Sequence, residues 1–218
     1  MKKVLLSLTL LLMPVLMFGC QKSISLEDCI SEITKIYFSA ESESVVGNIS
    51  IGEREDPYII DGTHTKNCDF SLISLNFDEL LPSNQIEVDL NINNVSSKLI
   101  LELNPANHFY MADLGCALKG NDVIQLTYQN FTLYFENISD SFVVDYNQAL
   151  KIGQEALGDK IDKYYNNDNF NGEGYLKVLT KQEGDSKELF WVFTVVSSNG
   201  SKNNVVLSVS DGKVIISE

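Results

Sequence analysis

Apolar residues between positions 45 and 138 recur at every second place, and after Asp145 they recur at every third or fourth. Strand side chains alternate between two faces, whereas helix side chains return to one face every 3.6 residues. A chain whose period changes once should therefore fold as strands first and a helix afterwards. The alternation is clearest in Ile86, Val88, Leu90 and Ile92 and again in Leu99, Leu101 and Leu103, with Asn93-Asn94 between them as a hairpin turn. Further short runs lie at 45–51, 58–60, 69–77, 108–114, 123–128 and 131–135, separated by Asp-Gly, Pro-Ser-Asn, Asn-Pro and Gly-Asn-Asp. Seven or eight strands at this spacing, with no helix between them, predict an antiparallel, immunoglobulin-like β-sandwich over residues 41–140.

Beyond it, residues 141–218 read as a small α+β unit. Asp145 with Gln148 three places on forms a capping box, and Ala149, Ile152, Gly153, Ala156, Leu157, Ile161 and Tyr164 then mark one helix face, with a bend expected at Gly158. Strands follow at 175–180, 189–197, 204–210 and 213–216, with Asn199-Gly200 and Asp211-Gly212 as hairpin signals between the last three. The arrangement resembles the PepSY family of bacterial envelope proteins. The matching residues are Ala149 and Ala156 on the helix, Trp191 and Phe193 in a central strand, and Asp211-Gly212-Lys213-Val214 at the last turn. Members occur in metallopeptidase propeptides and in cell-surface proteins, so the resemblance implies a binding or regulatory module, and in one version a regulator of an extracellular peptidase.

The N-terminus has Lys2 and Lys3 ahead of an apolar run to Phe18, interrupted by Ser7, Thr9 and Pro14. This is the charged and apolar pattern of an export signal, too short for a comfortable membrane span. Its end, Leu16-Met17-Phe18-Gly19-Cys20, resembles the lipobox of bacterial lipoproteins. That resemblance implies removal of residues 1–19, a diacylglyceryl group on the Cys20 thiol, and a mature protein on the outer face of the membrane, the expected setting being a Gram-positive cell surface. Two or three acyl chains would hold it there durably where one would not. Residues 20–40 are then a leader or tether. Ser25-Leu26-Glu27-Asp28 could cap a helix bearing Leu26, Ile30, Ile33 and Tyr37, while residues 33–38 have equal claim to be a first strand.

A length of 218 residues accommodates one large domain or two small ones. The net charge of −14, from 16 Lys plus Arg against 30 Asp plus Glu, argues against broad contact with a nucleic-acid backbone. The acidity is concentrated between residues 40 and 140, where sixteen acidic residues face four basic ones. That region is the one expected to meet cations or a basic partner.

Candidates for chemistry are few. Cys68 and Cys116 sit in the β-rich region, His64 four residues before the first and His108 eight before the second. An exported protein offers them a disulfide, or they remain two thiols; a Cys2His2 zinc site is arithmetically allowed, although neither spacing makes a compact chelating pair. Cys29 is the odd thiol and reads as a small packing residue. Asn167, Asn169, Asn171 and Gly172 occupy positions one, three, five and six of an EF-hand-like loop, with Asp168 and Glu173 as further oxygens. The twelfth place, however, is Val178 rather than Glu, which favours a plain polar loop. Acidic groups recur at Glu53, Glu55 and Asp56, at Asp78 and Glu79, and at Glu87 and Asp89, the last pair expected to face solvent. Wall-polymer hydrolysis by two such carboxylates is a third, weaker reading. Tyr164, Tyr165, Phe170, Tyr175, Phe190, Trp191 and Phe193 gather in the C-terminal unit, where helix-to-sheet packing accounts for at least one strand face. No nucleophile elbow, metalloprotease helix motif, phosphate loop or dinucleotide fingerprint occurs. The sequence therefore predicts a non-enzymatic surface lipoprotein that needs no cofactor and binds or regulates an envelope protein or glycan.

Overall fold

A computed structural model describes residues 23–183 and 186–218, and the side chains of 182–187 stand outside the description. The signal segment and Cys20 thus lie outside the described residues. The described residues are mainly β, and among them pairing is antiparallel except at one junction. Eight strands come first: β1 (Ile30–Glu41), β2 (Val45–Glu55), β3 (Asn67–Phe77), β4 (Gln85–Ile92), β5 (Val95–Leu103), β6 (Tyr110–Asp113), β7 (Ile124–Tyr128) and β8 (Phe131–Asn137). They pair in the order β1-β2-β3-β6-β5-β4-β7-β8, and Phe38 and Ser39 of β1 then pair with Asn137 and Glu136 of β8. This last ladder turns what was expected as two facing sheets into a closed eight-stranded barrel. The ring closes although β5 meets β6 only at Glu102 and Leu103, and the inward residues fill it: Ile49, Ile73, Leu75, Leu101, Ile124 and Leu126 are all at 0–1% exposure. The expected strand at 58–60 is instead part of a loop, 56–66, that folds back over the wall.

The 20–40 segment resolves in favour of a strand. After a single 3-10 turn at Glu27–Cys29, β1 runs twelve residues and serves two bodies at once. One edge pairs with β2 along nearly its whole length, while the other is divided between β11 (parallel, Ile30 to Ile33) and β8 (Phe38 and Ser39). Gly52 of β2 permits the tight crossing here, since a Cβ at that position would stand 1.9 Å from the Ile33 carbonyl oxygen.

The second body begins at helix α1 (Tyr146–Leu157), whose Asp145 carboxylate accepts from the Gln148 amide at 2.8 Å while the Gln148 side chain accepts from the Asp145 amide at 3.1 Å. The capping box is as predicted. The helix stops at Gly158 (φ 49°) rather than bending through it, and two 3-10 turns carry the chain to a short hairpin, β9 (Tyr165–Asn166) and β10 (Asn169–Phe170). Strands β11 (Gly172–Glu183), β12 (Ser186–Ser197), β13 (Lys202–Ser208) and β14 (Val214–Ser217) form the meander, turning at Gly200 (φ 80°) and Gly212 (φ 70°). Ala149, Leu157, Trp191, Phe193, Val205 and Leu207 pack between helix and sheet, joined by Ile30, Ile33 and Tyr37 of β1. Trp191 donates its indole N–H to the Val144 carbonyl at 2.8 Å.

Candidate functional site

Because β1 leaves β11 after Ile33 to complete the barrel, the hairpin of β11 and β12 projects past the outer wall of β1, β2 and β3 and encloses a groove of about 510 Å³. That size suits a ligand of several residues. Its floor follows from strand alternation. Ile49, Ile73 and Leu75 point into the barrel, so Asn48, Ser50, Ser74 and Asn76 point out, and Asn48 stands directly opposite Ser74 in the ladder. Thr34, Asn107 and Thr180 add further neutral hydrogen-bonding groups, and Phe109, Met111 and Leu179 supply apolar contact. Four consecutive residues of β11, Lys177 to Thr180, line the opposite side, so the strand's backbone edge borders the groove. Among the described residues no strand pairs with that edge beyond Leu176. Tyr37 and Thr180 meet between β1 and β11 through a hydroxyl contact of 3.2 Å.

The groove is charged at Lys177. Lys177 Nζ lies 2.8 Å from Glu32, which is only 6% exposed, and donates to the Tyr58 hydroxyl at 2.7 Å. The same ammonium stands 5.2 Å from the Tyr58 ring centroid and 5.7 Å from that of Tyr175. Arg54 lies 5.5 Å from the Tyr58 ring and pairs with Asp113. Tyr58 therefore sits against the Lys177–Glu32 pair, and burial of its hydroxyl, with the Glu32 carboxylate next in weight, holds that hydroxyl well above the ordinary phenol value. At neutral pH it stays a neutral hydrogen-bonding group.

Beside Tyr58, loop 56–66 covers a polar layer. His64 Nδ1 is 3.1 Å from the hydroxyl of fully buried Ser31. Thr65 donates its amide and hydroxyl to Glu55 Oε2, both at 3.2 Å, and the Gly62 amide donates to Glu173 Oε1 at 2.6 Å. Gly62 is required there: its φ is 82°, and a Cβ would lie 2.2 Å from the Ser197 carbonyl carbon.

The residues singled out from sequence fall elsewhere. Cys68 and Cys116 are exposed free thiols, and Cys29 is buried. His64 turns to Ser31 rather than to Cys68, His108 (φ 61°) is on an exposed turn, and among the described residues no three His, Cys, Asp or Glu side chains gather as metal ligands. The EF-hand-like segment is no calcium loop. Asn167 (φ 49°) and Asp168 (φ 62°) make the two-residue turn between β9 and β10, and the Asn169 carboxamide oxygen accepts from the Ile24 amide. Glu87 and Asp89 face solvent and share Lys98 at 3.3 and 2.8 Å. Trp191 and Phe193 belong to the helix-to-sheet core, at 1% and 0% exposure. The groove itself went unforeseen, although the polar positions of 46–50 and 72–76 were there to be read as an outer wall. No family model, no curated protein and no solved structure matches the chain.

Proposed function

We propose that the protein is a non-enzymatic binding protein of the bacterial cell surface, anchored through lipid at Cys20, whose groove takes an extended peptide segment of another envelope protein. The observation that carries this is the open edge of β11 at Lys177–Thr180, facing a floor of Asn48, Ser50, Ser74 and Asn76. An extended peptide laid there gains main-chain hydrogen bonds from the strand edge and side-chain hydrogen bonds from the floor, and Phe109 and Leu179 accept its apolar residues. Support for the anchor is the Lys2-Lys3 and Leu16-to-Cys20 pattern. What favours a PepSY-like, regulatory reading of the C-terminal unit is the order of one capped helix followed by a meander with turns at Asn199-Gly200 and Asp211-Gly212.

Screening a displayed library of random peptides against the wild-type protein and against Ser74→Trp, which fills the groove from an outward position, tests the site. Peptides that bind the wild type and lose at least tenfold in affinity on the variant are expected. Enrichment of none, or equal binding to both proteins, would contradict the reading, and binding of neutral oligosaccharides in place of peptides would transfer the groove to a glycan.

A further inference from the structure

Two carboxylates in the polar layer under loop 56–66 are removed from solvent and carry no cationic partner. Glu55 is 1% exposed and Glu173 0%. The neighbouring cations are engaged elsewhere, Lys177 with Glu32 and Arg54 with Asp113, and none of the described ion pairs includes Glu55 or Glu173. Each carboxylate is half-satisfied by the same loop, Glu55 Oε2 by Thr65 and Glu173 Oε1 by Gly62, only three residues apart. The remaining oxygen of each, Oε1 of Glu55 and Oε2 of Glu173, has no hydrogen-bond partner.

Two further oxygens are orphaned in the same layer. The Asn67 carboxamide donates its N–H to the Ile30 carbonyl at 2.7 Å, which leaves Oδ1 unpartnered, and Asn67 stands directly opposite Glu55 in the β2–β3 ladder. Directly opposed side chains in such a ladder have Cβ atoms about 5 Å apart. The hydroxyl of Tyr175, a residue 3% exposed, is the fourth unpartnered oxygen. Tyr175 shares a strand face with Glu173, two residues before it, and its hydroxyl is turned toward the Glu173 carboxylate; burial first, then Glu173 and more weakly Glu55, hold the phenol above its ordinary value.

Four unpartnered oxygens and two uncompensated negative charges in a dry layer are a set that a hydrogen-bond donor alone does not balance, because water satisfies lone pairs and leaves the charge. A hard cation does both. Oxygen ligands from carboxylate, carboxamide and hydroxyl are the donor type of calcium, which tolerates irregular geometry and completes its shell with water. We propose that Glu55, Glu173, Asn67 and Tyr175 hold a divalent cation of the calcium type beneath loop 56–66. The cation would fasten the loop that carries Tyr58 to the junction of barrel and meander.

The test is a calorimetric and thermal-unfolding titration of the full-length, chelator-stripped protein with calcium chloride and with magnesium chloride, in wild type, Glu55→Gln, Glu173→Gln and Tyr175→Phe. Calcium is expected to bind the wild type with one-to-one stoichiometry and to raise its Tm saturably. Each Gln variant should lose that rise while remaining folded in chelator, and Tyr175→Phe should weaken calcium binding several-fold without losing the fold. The variant Glu79→Gln, at an exposed acid, should bind like wild type. No saturable binding of either ion to the wild type would overturn the proposal. A rise that persists unchanged in both Gln variants would overturn it equally, as general screening of an acidic surface.

Discussion

Trp191 contributes more to the helix-and-meander core than its area alone, since its ring is closed off from solvent, meets Phe142 edge-on at 5.7 Å and satisfies the Val144 carbonyl. Trp191→Ala should therefore cost roughly 3–5 kcal/mol, read as a fall in the urea midpoint with little change in slope. Trp191→Phe keeps most of the burial but orphans the carbonyl, and about 1–3 kcal/mol is the expected loss. The thiols separate in the same way. Burial, helped by the Asp28 charge, pushes the Cys29 thiol above its ordinary value, so at pH 8 a maleimide should label Cys68 and Cys116 and leave Cys29 unmodified until the protein unfolds. Alternation put Trp191 and Phe193 on one face of an apolar strand, but periodicity could not say which of the strand's two faces meets the helix. The role of Glu55 was not legible. It ends β2 in a run of acids, and only the fold-back of loop 56–66, which no periodicity encodes, converts a solvated-looking carboxylate into a buried one.

Local signals governed the elements well wherever a few residues sufficed. Asp145→Ala removes the acceptor for the Gln148 amide and should cost about 1 kcal/mol, measurable by thermal unfolding. Gly200 and Gly212 take the left-handed backbone their turns require, and Asn167-Asp168, both left-handed, make a tight hairpin in place of a calcium loop. Asp122 shows how a loop gains pH dependence. Its carboxylate accepts from the Asn93 side chain and the Lys119 amide, both at short range, and these bonds hold its pKa below the usual 3.8. A depressed carboxylate adds stability that is full above the unfolded-state value and is lost as pH falls through the folded one. The stability difference between wild type and Asp122→Asn should accordingly be constant near neutrality and shrink below about pH 4. Strand β1 was the element local reading left open. The spacing of Leu26, just before it, with Ile30, Ile33 and Tyr37 suits a helix, and pairing of β1 with β2, β8 and β11 at once overrides that preference.

At the scale of the molecule, a sandwich and a closed barrel demand the same alternating strands, so periodicity cannot choose between them. The choice is made by a ladder between Phe38-Ser39 and Glu136-Asn137, groups about a hundred residues apart in the chain. The same event creates the groove, since β1 must desert β11 to reach β8 and leaves the β11 edge open beside an outward-facing polar wall. The proposed anchor is tested at this scale too: Cys20→Ala should release the protein from membrane fractions or leave it unprocessed, seen as a shift in size and in partitioning. The most direct test of the central claim is photo-crosslinking on intact cells, from a photoreactive residue placed at Asn76 on the groove floor and, for comparison, at Glu87 on an exposed face of the barrel wall. Groove binding predicts an adduct at position 76 that maps to one short segment of another envelope protein and is absent at position 87. Adducts of equal yield from both positions, or from position 87 alone, would contradict it.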